Sequence, residues 1–215
     1  MGWYRDAVLP RVLDRMCGTA EIAEWRGLAT AGLSGQLLEI GFGSGLNVAH
    51  YPAGVRSVVA VEPSSVARRL ADRRSVDPGL PVTFVGIDGE HLPLEDESCD
   101  SALSTFTLCT IPDAAQALRE LRRVLRPGGT FHFLEHGLAP DARVASWQRR
   151  LEPLQLRLAG GCHLLRDPVA LVGAAGLRID SLQQSYSSGP KPWSWFSVGQ
   201  ASRPEQEGDA GLPSE

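Results

Sequence analysis

Hydrophobic residues follow two different spacings along the chain, and segments with each spacing alternate. Short apolar runs bounded by glycine, proline or polar residues predict strands at about residues 36–40, 57–61, 82–86, 99–105, 130–136, 177–186 and 193–201. Apolar residues at helical spacing predict helices at about residues 3–16, 20–31, 64–74, 113–126, 141–159 and 167–175. Strands that alternate with helices in this way predict an α/β fold, in which a mostly parallel, doubly wound sheet has helices on both faces.

A glycine-rich turn follows the first predicted strand. Gly41, Gly43 and Gly45 alternate with other residues, which leaves the main chain open to a ligand and permits positive φ angles. We expect a helix directly after the turn, whose first N–H groups would face that ligand. The spacing differs from the dinucleotide pattern G-x-G-x-x-G, because Leu46 stands at the sixth position, and Glu39 precedes the first glycine by two residues. The turn predicts a nucleotide-like ligand, with an ordinary strand–helix connection as the alternative.

Polar residues follow several of the predicted strands. Glu62, Asp88, Thr105 and His136 all stand at strand ends, as the glycine turn does. Ligands of open α/β sheets bind at the carboxyl ends of the strands, so these residues predict one site. A carboxylate at Glu62 can accept hydrogen bonds from both ribose hydroxyls of an adenosine, and Asp88 can accept one from the adenine amino group while Gly89 gives close access to the main chain. The alternatives are a solvated strand end for Glu62 and a turn-forming side chain for Asp88.

Composition excludes several classes of protein. The 215 residues suit a single domain, and 21 basic against 25 acidic residues give a net charge of −4, which argues against a broad basic surface for nucleic acid. No apolar run reaches the roughly 18 residues of a membrane span, and the first ten residues do not form a secretion signal. The four cysteines form no C-x-x-C pair, so we expect no metal site and a reducing, cytoplasmic location.

Three segments together resemble a known family. The pattern E-x-G-x-G-x-G at residues 39–45, the run at residues 89–100 and the Leu-Arg-Glu-Leu-Arg-Arg-Val-Leu-Arg-Pro-Gly-Gly run at residues 118–129 resemble class I S-adenosylmethionine (SAM) methyltransferases of the ubiquinone/menaquinone-biosynthesis type. The resemblance implies a Rossmann-like seven-stranded sheet with the last strand antiparallel. It implies one domain over residues 1–201, with a helical lead-in at 1–33, followed by a polar tail at 202–215 that we expect to be disordered.

The resemblance also implies the ligands and the residues that hold them. The cofactor is SAM, the product is S-adenosylhomocysteine (SAH), and the partner is a small-molecule methyl acceptor. The residues at the matching motif positions and beside them, which we expect to bind the cofactor, are Glu39, Gly41, Phe42, Gly43, Gly45, Asn47, Glu62, Pro63, Asp88, Gly89, Glu90, Thr105, Phe106 and Thr107.

A closer similarity lies in the second half of the chain. Residues 134–136, Trp147 and residues 161–167 look like the alkyl-thiol methyltransferase group, although the N-terminal residues do not resemble that group's hydrophobic anchor. The acceptor is therefore expected to be small and apolar or aromatic, either a thiol, a phenol or quinol, or an amine. His136 is the first candidate for a base or acceptor-orienting residue, and His163 beside Arg166 is the second.

Two other functions remain open at this point. The first is a SAM- or SAH-binding module without activity, and the second is a nucleotide-dependent oxidoreductase, which the glycine spacing disfavours. A nucleic-acid methyltransferase is disfavoured because the fourth predicted strand is followed by Ser-Thr-Phe-Thr-Leu at residues 104–108. That segment lacks the Asp/Asn-Pro-Pro-aromatic sequence that grips a flipped base. No oligomeric state follows from the pattern.

Overall fold

A seven-stranded sheet runs through the centre of the computed structural model, which describes residues 3–72, 74, 79–86 and 88–205. In chain order the strands are β1 (Gly35–Ile40), β2 (Val55–Val61), β3 (Val82–Phe84), β4 (Cys99–Thr105), β5 (Leu125–His136), β6 (Arg178–Tyr186) and β7 (Trp195–Ser202). Their spatial order is β3-β2-β1-β4-β5-β7-β6. The pairs among the first five strands are parallel, whereas β7 is antiparallel to both β5 and β6. The predicted fold class is thus confirmed.

Six α-helices flank the sheet within the described part of the chain. They are α1 (Leu9–Cys17), α2 (Ala20–Thr30), α3 (Ser65–Ala71), α4 (Ala114–Val124), α5 (Ala142–Leu158) and α6 (Pro168–Ala174). A π-helix at Tyr4–Val8 runs into α1, and single 3₁₀ turns lie at Val48–His50 and Lys191–Trp193. Side chains cap α3 and α4 where the sequence places N-cap residues, because Ser64 accepts from the N–H of Ala67 and Asp113 from that of Gln116.

The strands bury side chains on both faces, as expected of a parallel sheet covered by helices. One core contains Leu38, Phe131 and Phe133 of the sheet together with Leu118 and Leu121 of α4. The opposite core contains Leu37, Leu103 and Leu134 of the sheet with Ala29 of α2 and Ala71 of α3. Because neighbouring residues of a strand enter opposite cores, the register of each strand is fixed by burial.

The prediction of a helix directly after the glycine turn is wrong. Only the 3₁₀ turn Val48–His50 follows it, and Tyr51 is already extended with φ −65° and ψ 130°. The cause is Pro52, since the ring of a proline disfavours helical geometry in the residue before it. The turn therefore has no long helix behind it, and any ligand there is held by the turn itself and by neighbouring side chains.

The ordered chain continues past the predicted end of the domain. Ser202 belongs to β7, and the guanidinium of Arg203 donates to the carbonyl oxygens of Arg122 and Arg123 and pairs with Glu97 at 2.7 Å. Residues 206–215 of the predicted tail lie outside the described residues. Among the described residues, no helix combines the length and apolar character that crossing a membrane requires.

Candidate active site

A cavity of about 590 Å³ opens at the carboxyl edge of the sheet, between the glycine turn, the ends of β2 and β4, and helix α1. Cavities of this size hold small ligands and cofactors. Most of the residues expected to bind the cofactor line it, namely Gly41, Phe42, Gly43, Glu62, Pro63, Asp88, Gly89, Glu90, Thr105, Phe106 and Thr107. Strand ends that are far apart in sequence therefore meet at one site, as the topology predicts.

The glycine turn adopts the geometry that its composition favours. Gly41, Gly43 and Gly45 have φ angles of 76°, 57° and 76°, in the region that other residues rarely adopt. Glu62 fastens the turn to the end of β2, because its carboxylate accepts from the N–H of Gly43 at 2.8 Å and from that of Ser64 at 2.7 Å. The carboxylate is buried, which raises its pKa, and each oxygen retains a lone pair for a further donor.

Asp88 stands at the outer rim of the cavity. Its carboxylate accepts from the N–H of Glu90 at 2.8 Å and lies 3.1 Å from Nδ1 of His91, and half of the side chain is exposed. The hydrogen bond from Glu90, followed by that from His91, lowers the pKa of Asp88. The residue is thus a turn-forming side chain and a cavity residue at once, so the two interpretations of this position are compatible.

The segment after β4 forms the floor of the cavity. Phe106 has a φ of 53°, which is uncommon outside glycine and costs of order 1–3 kcal/mol unless the surroundings impose it. Its ring packs edge-on against Phe196 at 5.2 Å, and the guanidinium of Arg26 lies 5.7 Å from its centroid. Glu135 accepts from the N–H groups of Thr107 and Leu108, which holds the turn in place. A strained residue fixed from three sides is typical of a ligand-binding position.

Three of the residues expected to bind the cofactor, Glu39, Gly45 and Asn47, do not line the cavity. Glu39 is fully buried beneath it and accepts from Asn47 Nδ2 at 2.7 Å and from the hydroxyl of Tyr51. Asn47 in turn accepts from Arg26 Nη1 at 2.6 Å. These side chains form a buried polar network that supports the glycine turn from below. A role of these residues in binding SAM stays a prediction. Their contacts indicate that any such role is indirect, through support of the glycine turn.

The buried carboxyl group of Glu39 predicts a specific pH dependence of stability. Burial raises its pKa from 4.5 to about 7, although hydrogen bonds from Tyr51 and Asn47 oppose the rise. Because the folded protein binds this proton more tightly than the unfolded chain, the stabilisation is complete below pH 4.5 and is lost as the pH rises through about 7. Relative to Glu39→Gln, the wild type should lose about 3 kcal/mol of unfolding free energy over that range. Urea unfolding of both proteins across the range measures it, and parallel pH profiles would contradict the assignment.

Helix α1 covers the cavity, which the sequence did not predict. Leu13, Asp14 and Cys17 line its wall. The helix is fastened to the site because Asp14 pairs with Arg74 at 2.6 Å and accepts from the hydroxyl of Ser44 in the glycine turn. Burial acts to raise the pKa of Asp14, but these hydrogen bonds outweigh it and the pKa is lowered. The helical spacing identified the helix; its position over the site depends on tertiary contacts that no local signal carries.

His136 faces a pair of cysteines and does not line the cavity. Its Nε2 lies 3.0 Å from Sγ of Cys162, and Cys109 completes a cluster whose three ligand atoms all lie within 4.8 Å of one another. The contact with Cys109, followed by that with His136, lowers the pKa of the Cys162 thiol, although burial opposes the change. The three residues are far apart in the sequence, so no short motif marks this cluster. A catalytic role for His136 stays a prediction.

His163 also lies outside the cavity lining. Its Nδ1 is 2.8 Å from Oε1 of Glu152, whose other oxygen accepts from the N–H of Leu164. Arg166 donates to the carbonyl oxygens of Leu108, Ile111 and Pro112. The two residues of the expected pair therefore have different partners: His163 contacts Glu152, and Arg166 supports the floor of the cavity from behind. Action of His163 on an acceptor stays a prediction.

Comparison with known proteins places this site in a family. A protein-family model described as "Methyltransferase domain" matches residues 38–133. The chain is 33% identical to thiol S-methyltransferase TMT1B of Rattus norvegicus over 170 residues, which cover 76% of the chain and 66% of the relative. It is 32% identical to TMT1B of Homo sapiens over 181 residues, covering 81% and 71%. The aligned region thus spans about two thirds of the length of these relatives.

The fold of this chain also resembles that of solved methyltransferase structures. A SAM-dependent methyltransferase from Mesorhizobium loti superposes with a TM-score of 0.62 over 86% of this chain and 99% of its own, at 20% identity. At that identity the likeness shows the fold alone. Neither an oxidoreductase nor an inactive binding module is favoured by these matches. The seven-stranded fold, the cavity at the glycine turn and the identity to known enzymes together show that the chain belongs to the SAM-dependent methyltransferases, in the family that contains thiol S-methyltransferase TMT1B.

Proposed function

We propose that this protein transfers the methyl group of SAM to the sulfur of a small, largely apolar thiol. The observation that carries the proposal is the cavity, which has acidic and main-chain groups for an adenosine on one side and a largely apolar wall on the other. The names of the curated relatives, thiol S-methyltransferases, support the same acceptor class.

The donor half of the cavity offers a partner for each part of SAM. We assign the ribose hydroxyls to the carboxylate of Glu62 and the adenine amino group to that of Asp88, since both residues line the cavity. The main chain of the turn around Gly43 lies open to the methionine portion. Arg26 lines the cavity and is buried, and its Nε–H has no hydrogen-bond partner among the residues that the structure describes, so it retains a donor for the methionine carboxylate. These assignments rest on position and on free hydrogen-bonding capacity.

The acceptor half favours a group that ionises without help. Its wall contains Leu9, Leu13, Phe106 and Ile111, and among the described residues that line the cavity there is no histidine, lysine or tyrosine. At pH 7.5 about a tenth of a thiol with a pKa near 8.5 is ionised, against about 0.3% of a phenol with a pKa near 10. In-line displacement at the SAM methyl group then requires mainly alignment of the two reactants, which is worth up to about 7–11 kcal/mol.

The location proposed from the sequence fits the cysteines of the structure. All four cysteines are free, and three of them are buried. Free thiols that persist in the folded chain are typical of a reducing compartment, so we infer a cytoplasmic location.

The test is the pH dependence of methyl transfer to matched thiols. The full-length protein is incubated with SAM labelled in its methyl group and with an alkyl or an aromatic thiol, and kcat/KM is measured from pH 6 to 9. We expect kcat/KM to rise about tenfold per pH unit below the pKa of each thiol and to level off above it, because the thiolate is the reacting form. The pH at which kcat/KM levels off should therefore differ between the two thiols as their pKa values do.

A phenol and an amine of the same carbon skeleton serve as matched controls. We expect turnover with the phenol at pH 7.5 to be at least about 30-fold lower than with the thiol, which is the ratio of the ionised fractions, and turnover with the amine, which is mostly protonated at that pH, to be low as well. Equal turnover of phenol and thiol would overturn the acceptor assignment. A pH profile that does not move with the pKa of the thiol would instead reveal a titrating group of the protein and would restore His136 or His163 as the base.

A further inference from the structure

Three segments that are remote in sequence bring two thiols and an imidazole together behind the cavity. Cys109 lies in the turn after β4, His136 ends β5, and Cys162 lies between α5 and α6. They are separated by 136 − 109 = 27 and 162 − 136 = 26 residues, so no short-range motif announces them. Their ligand atoms nevertheless all lie within 4.8 Å of one another. The cluster has the composition of a site for a metal ion that prefers nitrogen and sulfur ligands.

The separations of the ligand atoms lie within about 1 Å of those around a tetrahedral zinc ion. Zinc lies about 2.3 Å from sulfur and about 2.0–2.1 Å from nitrogen, which separates neighbouring ligand atoms by roughly 3.5–3.8 Å. His136 Nε2 and Cys162 Sγ are 3.0 Å apart, and the greatest separation in the cluster is no more than 4.8 Å. Side-chain movements of about 1 Å or less would therefore bring all three atoms into bonding distance of one ion.

The main chain holds the ligands in place. The N–H of His163 donates to the carbonyl oxygen of Cys109 at 2.8 Å, and the N–H of Cys162 donates to that of Ala159 at 3.1 Å. Cys109 and Cys162 are only 3% and 7% exposed. Glu152, which bonds both His163 and Leu164, fixes the segment that carries Cys162. The site is thus formed by the fold itself and is dry enough to make coordination stable.

We propose that Cys109, His136 and Cys162 bind one Zn²⁺ ion, through the two thiolates and the imidazole Nε2, with the fourth position left for a non-protein ligand. Within the part of the chain that the structure describes, no further histidine, cysteine or carboxylate belongs to the cluster. Three protein ligands and one open position are typical of catalytic zinc sites, whereas structural sites use four. Binding releases the protons of any thiol still protonated, so affinity should rise with pH.

The proposed ion would act on the cavity through residues close in sequence to its ligands. Thr110 and Gly160, which stand within two residues of Cys109 and Cys162, line the cavity. The ion would tie the turn after β4, the end of β5 and the segment after α5 into one wall. The proposal does not depend on the acceptor being a thiol, because the ligand set is defined by the chain alone.

The test measures metal binding directly in the full-length protein. The chelator-treated, reduced wild type is titrated with Co²⁺, which reports thiolate ligation through a charge-transfer band in the near ultraviolet and a tetrahedral site through visible bands. We expect both signals to saturate at one equivalent and to disappear on addition of one equivalent of Zn²⁺. Absence of a thiolate band in folded wild-type protein overturns the proposal without reference to any variant.

Matched variants separate this site from other cysteines. Cys109→Ser and Cys162→Ser should each lower the affinity for Zn²⁺ at least about 100-fold, whereas Cys99→Ser, which changes an equally buried cysteine outside the cluster, should leave it unchanged. Equal zinc affinity in Cys99→Ser and Cys162→Ser would contradict the assignment. If reduced protein binds no Co²⁺ and instead forms a Cys109–Cys162 disulfide when oxidised glutathione is added, the metal site would be replaced by a redox pair.

Discussion

Replacing Gly41 with alanine is expected to destabilise the protein by more than about 4 kcal/mol, whereas the same change at Gly43 should cost about 1–2 kcal/mol. Both glycines have positive φ angles, so both substitutions carry the backbone strain of an L-residue in that region. The two positions differ in the space available for a β-carbon. A β-carbon on Gly41 would lie 2.7 Å from Cβ of Thr107 and closer still to its Oγ1 and Cγ2, whereas one on Gly43 meets only a carbonyl oxygen at 3.8 Å. Urea unfolding of the two variants measures the difference.

A second substitution keeps this prediction testable if Gly41→Ala does not fold. All three of the nearest atoms belong to the side chain of Thr107, so Thr107→Gly removes the collision. In that background Gly41→Ala should cost no more than the strain seen for Gly43→Ala. A coupling energy of about 2–3 kcal/mol between Gly41 and Thr107 is expected, and independent effects of the two substitutions would show that the glycine is required for another reason.

The fold was predictable where local signals and the overall topology agree. Alternating strands and helices specify a parallel sheet, and Ser64 and Asp113 mark the starts of helices because their side chains satisfy the first N–H groups. The prediction of a helix after the glycine turn failed because Pro52 disfavours helical geometry at Tyr51, and this outweighed the general pattern of strand, turn and helix. Local chemistry of single residues thus decided the one element that was wrong.

The site was predictable at the sheet edge and unpredictable elsewhere. Strand ends in a parallel sheet must meet, so Glu62 and Thr105 could be placed together from the sequence. Arg26 and Asp14 lie on helices before the first strand, and nothing in their local sequence indicates that these helices pack over the cavity. Glu39 matched a cofactor motif, yet its side chain is fully buried beneath Asn47. Contacts between distant segments are set by packing, which short motifs do not encode.

Replacing Glu62 with alanine should weaken the binding of SAM at least about 100-fold. We propose that the carboxylate accepts two ribose hydroxyls, and hydrogen bonds to a charged group are worth about 1.5–3 kcal/mol each. The substitution also releases the N–H groups of Gly43 and Ser64, so the glycine turn loses its fastening to β2. Isothermal titration calorimetry with SAH and with SAM gives both dissociation constants. Asp88→Ala, at a half-exposed rim position, should weaken binding by about tenfold or less.

The ratio of the two dissociation constants identifies what Glu62 contacts. SAM and SAH share the adenosine and differ in the methylated sulfonium, so loss of a ribose contact must weaken both by the same factor. If Glu62 instead attracted the positive sulfonium, Glu62→Ala would weaken SAM alone. Glu95→Ala, at an exposed carboxylate outside the cavity, serves as the control for a general loss of negative charge. Unchanged affinity for SAH in well-folded Glu62→Ala protein would remove this residue from the ribose site, because loss of a ribose contact must weaken the binding of both ligands.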